Sequence, residues 1–138
     1  MSDSGAQSAP GAEWVAVSPD SLTWLEGPYG ETAIVWGDPQ SGPYAAFNRF
    51  PAGTVIPPHT HSADNQLVVI EGTLHNYRVD DDAEVRAASY PAGSFIHEAA
   101  DVAHVLAVDP SGPATVYITQ DAPLDLTLVE QDDPGWQS

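Results

Sequence analysis

Apolar residues along this chain come in short runs, broken by glycine, proline and aspartate. The runs cover Glu13–Val17, Leu22–Leu25, Thr32–Trp36, Tyr44–Phe50, His59–His61, Gln66–Ile70 and Leu74–Val79, then Val85–Tyr90, Ser94–Glu98, Ala103–Val108, Ala114–Thr119 and Leu124–Val129. Between them lie Gly27-Pro28-Tyr29-Gly30, the stretch Gly37 to Pro43, and a triple-aspartate turn at Asp80-Asp81-Asp82. No window keeps the 3.6-residue period of an amphipathic helix, whereas short strands between turn signals are the mark of a sandwich or barrel. The pattern predicts one all-β domain over residues 13–129. Residues 1–12, small and polar, are expected to form a flexible arm, and residues 130–138 a tail that Trp136 docks on the body.

At 138 residues, with 42% apolar content, the chain suits one ordinary domain with a real core. Charge changes the picture more. Twenty acidic residues face three arginines and no lysine, a formal net charge of −17. Such a surface repels phosphate backbones and anionic lipid, so no nucleic-acid partner and no membrane partner is expected. Against that background Arg49, Arg78 and Arg86 each become candidates for a specific task. Without cysteine the fold rests on its core and on any bound metal. The first residues lack the basic and apolar regions of a signal peptide, and no run reaches membrane-spanning length, so a cytoplasmic location is expected.

Chemistry concentrates in the histidines. His59-Thr60-His61 lies in an extended segment behind Pro57-Pro58. Residues i and i+2 of a strand share one face, about 7 Å apart, so two imidazoles can converge on one ion if that face lines a cavity. Alone the signal is weak. Its frame is more specific: Gly53, five residues, His59, one residue, His61, three residues, Asn65, six residues, Gly72. This spacing resembles the first motif of the cupin superfamily, and Phe50-Pro51-Ala52-Gly53 is similar to its usual lead-in. Downstream, Gly93 to His104 has the glycine-to-histidine interval of the second cupin motif. There Ala99 replaces proline, Asp101 replaces glycine and Val108 replaces asparagine. The resemblance covers about residues 43–120.

It implies a single-domain, jelly-roll-type β-barrel with His59, His61 and His104 around one divalent metal ion. Cupins usually add a glutamate to the three histidines. Here that position is Asn65, with Gln66 beside it in the longer version of the gap, so either amide is a candidate ligand. Neutral imidazoles suit Fe2+, the leading expectation, and also Zn2+, Ni2+ or Mn2+. His97, on the strand entering the second motif, is a candidate fourth ligand or general base. Asn76 and Arg78 share the phase of Leu74, which makes Arg78 a candidate clamp for a substrate carboxylate. Phe47, Phe50, Tyr77, Tyr90 and Phe95 are candidates to line an apolar pocket.

The resemblance implies an enzyme acting on a small organic molecule. A non-haem iron dioxygenase using an enolisable carbonyl compound comes first, as in the small three-His cupins that cleave β-diketones. A non-redox zinc cyclase, isomerase or lyase is the alternative, as is a sensor domain like that of zinc-binding anti-sigma factors. Cupins commonly pair through sheet edges, so a homodimer is expected.

Overall fold

The structure, a computed structural model, describes residues 14–129. The predicted arm, Glu13 and the predicted tail with Trp136 lie outside the described residues. Twelve strands form: β1 (Leu25–Glu26), β2 (Glu31–Gly37), β3 (Tyr44–Phe50), β4 (Val55–Thr60), β5 (Asn65–Glu71), β6 (Thr73–Leu74), β7 (Tyr77–Arg78), β8 (Tyr90–Pro91), β9 (Phe95–Glu98), β10 (His104–Ala107), β11 (Ala114–Gln120) and β12 (Thr127–Leu128). Among the described residues one short α-helix, α1 (Ala83–Arg86), interrupts them, and a 3-10 turn, Pro19–Ser21, precedes them. A six-stranded sheet runs β1-β2-β3-β11-β5-β9, and a four-stranded sheet β12-β4-β10-β7 packs over it as a cupin jelly roll. All the named pairings are antiparallel.

The period of two along each strand sorts the side chains by face. Phe50, Ile56, Leu67, Val69, Leu74, Leu106, Val108, Ala114 and Val116 make the buried core between the sheets. Phe47 and Tyr117, paired in the β3–β11 ladder, pack their rings 5.4 Å apart on the other face of the six-stranded sheet. Phe95 lies on that sheet's edge strand and is exposed, not part of an apolar pocket.

Several predicted strands change. Residues 14–17 form none, and Leu22–Leu25 pairs only from Leu25 onward. Leu74–Val79 splits into two dipeptide strands, and the Val85–Tyr90 run opens with α1. The triple-aspartate turn explains the helix: the Asp82 carboxylate accepts the Val85 N–H at 3.0 Å, which is an N-cap. Arg86 then donates to the carbonyls of Asp81 and Val79, closing the far side.

Two turn positions hold the motif segments in place. Gly72 sits at φ +84°, and a β-carbon there would strike the Pro113 carbonyl and Ala114. Asp101, which stands where the second motif has glycine, is at φ +64°. Aspartate tolerates this left-handed conformation better than most residues do. Its N–H donates to the His61 carbonyl at 2.8 Å, tying the second motif to the first.

Candidate metal centre

His59 and His104 are direct partners in the β4–β10 ladder, and His61 lies one residue past the end of β4. Their ring centroids are 4.2 Å (His59–His104), 5.0 Å (His59–His61) and 5.2 Å (His61–His104) apart. One ring nitrogen from each lies within 4.8 Å of the others.

The hydrogen bonds decide which nitrogen that is. His59 Nδ1 meets the Pro57 carbonyl at 2.7 Å, His61 Nδ1 the Asp125 carbonyl at 2.6 Å, and His104 Nδ1 the Val102 carbonyl at 2.8 Å. A carbonyl only accepts, so each Nδ1 carries the proton and each Nε2 keeps a lone pair. Backbone carbonyls on the distal nitrogen are how metal-ligating histidines are fixed in tautomer and orientation. Three lone pairs facing one another are repulsive without a cation between them. The buried His104 Nε2 in fact has no hydrogen-bond partner, a costly state for a buried acceptor. The donor set therefore fits a divalent ion of the imidazole-binding kind.

Burial dominates the electrostatics of His59, lowering its pKa to about 4, with the His104 ring adding to the effect. Burial also acts to lower His104, yet the neighbouring Glu98 carboxylate outweighs it and moves His104 upward. Glu98 shows the complement: desolvation would raise it, but His104, His61 and His59 together hold it below the usual range.

Glu98 belongs to the site but is not among the candidates that the sequence offers. It ends β9, is 9% exposed, and sets Oε1 3.4 Å from His104 Nε2. Its Oε2 accepts from Asn76 Nδ2 at 3.1 Å. The signal available was its phase: Ile96 packs on the core, so Glu98, two residues on, shares the inward face.

The two amide candidates part company. Asn65 is fully buried and its Nδ2 donates to Gln120 Oε1 at 3.3 Å, while its Oδ1, the atom that could ligate an ion, has no hydrogen-bond partner. Gln66 points to the opposite face, with its amide on His97 Nδ1 at 3.1 Å and on the Thr119 hydroxyl at 3.3 Å. His97 is thereby turned away from the cluster as well; its ring is half-exposed and reaches toward Asp64 at 3.7 Å. The strand alternation that brings Glu98 inward sends His97 outward.

Arg78 pairs with His104 in the β10–β7 ladder, yet its guanidinium is 65% exposed and grips Asp81 at 2.9 Å. That is a rim ion pair rather than a clamp over the cluster. Arg49 forks onto Glu31 and lies 3.7 Å over the Trp24 ring. His75 bridges Asp109 and the Ala88 carbonyl.

The cluster opens onto a cavity of about 510 Å³ inside the barrel. His59, His61, Glu98 and Tyr44 stand at one end, and Ile34, Ala46, Leu67, Leu106, Val116 and Ile118 form most of the wall. Leu124 and Leu126, both exposed, mark where it meets solvent. Of the aromatic candidates, Phe50 lines it. A largely apolar pocket with a few polar groups at one end is the usual form of a small-molecule site.

The fold recurs in proteins of diverse function. The polyketide cyclase RemF from Streptomyces resistomycificus is similar over 88% of this chain and 89% of its own, at 14% identity and a TM-score of 0.68. A candidate acetylacetone dioxygenase from Methylibium petroleiphilum is similar over 88% and 84%, at 20% identity and a TM-score of 0.64. The anti-sigma ChrR complex with SigE from Rhodobacter sphaeroides is similar over 75% of this chain and 51% of that one, at 15% identity and a TM-score of 0.59. No curated protein matches the chain by sequence. Residues 12–122, however, match the family model of the ChrR cupin-like domain. The chain belongs to that family, within the cupin superfamily.

Proposed function

We propose that the protein is a metal-dependent enzyme acting on a small organic molecule, and that its reaction is the oxygenation of an enolisable carbonyl compound. The observation that carries this reading is the placement of three Nε2 lone pairs at the end of a largely apolar cavity large enough for a substrate. A divalent ion held there by His59, His61 and His104 would supply a dipositive centre that attracts oxygen donors and, as ferrous iron, redox chemistry with dioxygen.

The chain's own residues divide the remaining work. The apolar wall takes up the body of the substrate and displaces water, which strengthens every charge interaction at the centre. Glu98 Oε1, beside His104, is the acceptor for the proton that an enolisable carbon gives up. Asn76 holds the other carboxylate oxygen and keeps Glu98 aimed inward. Resemblance of fold to both a dioxygenase and a cyclase supports the class of site rather than either reaction.

Glu98 also favours a second reading, a non-redox cyclase or isomerase on zinc, because proton transfer beside a Lewis acid is all that chemistry needs. One experiment separates the two. Purified protein is stripped and reloaded with ferrous iron or zinc, and dioxygen uptake is followed with a panel of β-diketones. Uptake with iron alone supports the oxygenase. Product formation on zinc without uptake supports the second reading. A chain that retains neither metal would overturn both.

A further inference from the structure

The wall of the cavity carries a polar pair far from the metal centre, beside Glu31. Thr32 and Asn48 are partners in the β2–β3 ladder, and the Thr32 hydroxyl donates to Asn48 Oδ1 at 2.8 Å. Both line the cavity. With its oxygen engaged, Asn48 presents its two amide N–H groups, and no protein acceptor takes them among the described hydrogen bonds.

Strand register gives the pair its position. Tyr44, Gln120, Asn65 and Glu98 form one row across β3, β11, β5 and β9, at the metal end. Ala46, Ile118 and Leu67 form the next inward row. Asn48 lies in the row beyond, beside Val116. It is four residues from Tyr44 along β3, about 13 Å at strand rise. Everything between is apolar. An amide donor left free beyond an apolar row is placed to orient whatever fills the space.

We propose that Asn48, held by Thr32, is a specificity residue for the far end of the ligand. The substrate class is then an elongated, mostly apolar molecule with oxygen at both ends. One end carries the chelating enol or enolate for the metal, and the other a carbonyl, ether or phenolic oxygen that accepts from Asn48 Nδ2. This rests on the reading of the histidine cluster as a metal centre that binds the ligand's near end.

A pair of fluorescent chelators tests it: a flavonol with an unsubstituted phenyl ring, and its para-hydroxyphenyl analogue. Their chelating oxygens and para position lie at opposite ends of the molecule. Each is titrated into zinc-loaded and zinc-free protein. The para-hydroxyl compound is expected to bind zinc-loaded wild type about tenfold more tightly, the worth of one well-placed hydrogen bond. Asn48→Leu, close in shape, should erase that preference and leave the unsubstituted flavonol within about twofold of wild type. Thr32→Val, which keeps Asn48 but frees its orientation, should reduce the preference.

Equal binding of the two compounds by wild type, a preference that survives Asn48→Leu, or binding of neither compound would each overturn the assignment. Because the first comparison uses the unaltered chain, a variant that fails to fold does not protect the idea. Failure of the underlying metal reading looks different: both compounds would bind equally well with and without zinc.

Discussion

Asn65 and Glu98 stand directly opposite each other in the ladder between β5 and β9. Asn65 occupies the position where the first cupin motif has its glutamate, so the carboxylate near the histidines comes from the facing strand. Glu98→Gln is expected to weaken zinc binding by about ten- to a hundredfold, the range for a group supporting a ligand sphere. Competition with a chromogenic chelator measures this directly. Affinity unchanged by the substitution would remove Glu98 from the centre.

Restoring the motif should expose the same relationship from the other side. Asn65→Glu puts a second buried carboxylate opposite Glu98, a like-charge pair that the metal-free fold tolerates poorly. The variant should melt lower than wild type without metal and gain more than wild type on adding zinc. Differential scanning fluorimetry with and without zinc reads both, and equal zinc-induced gains would contradict the placement of residue 65.

Single alanine substitutions should sort the five histidines. His59→Ala, His61→Ala and His104→Ala each remove one of three ligands and should lose stoichiometric metal, as determined by elemental mass spectrometry. His75→Ala and His97→Ala should retain it, because His75 serves Asp109 and His97 serves Gln66 on the outside.

Gly72→Ala should be costly although nothing chemical is removed. The residue is held at φ +84° with no room for a β-carbon against Pro113 and Ala114. Backbone strain of this kind is worth about 2 kcal/mol or more, to be seen as a lower urea midpoint at unchanged slope.

Acid should loosen the fold partly through Asp109. Hydrogen bonding to Ser111, and then to His75, lowers its pKa to about 2. A carboxyl depressed on folding contributes stability above its unfolded value near pH 4, and that contribution is lost as pH falls toward 2. Asp109→Asn should therefore flatten this part of the acid limb when urea midpoints are compared between pH 5 and pH 2.

The histidine spacing and its glycine frame make the fold, the two motif segments and the three-histidine cluster legible in the chain itself. What stayed hidden depended on neighbours across the sheet rather than along the chain. Whether Gln66 or Asn65 turns inward is decided by the β5–β11 register. Glu98 could only be recognised once β9 was known to lie beside β5. His97 and Glu98 are adjacent in sequence, and a one-residue difference in phase separates a surface imidazole from a buried carboxylate. The arginines followed charge rather than chemistry: each found acidic or carbonyl partners at the surface, as expected in a chain so rich in aspartate.

The ring of His61 is held by the carbonyl of Asp125, and the next backbone N–H, that of Ser62, by the Asp125 side chain. Their sequence separation makes this among the longest loops the chain must close. A nascent chain still short of residue 125 has two of its three imidazole anchors and a third ring free to swing. The three rings can therefore all be oriented toward a common point only after residue 125 has joined the fold.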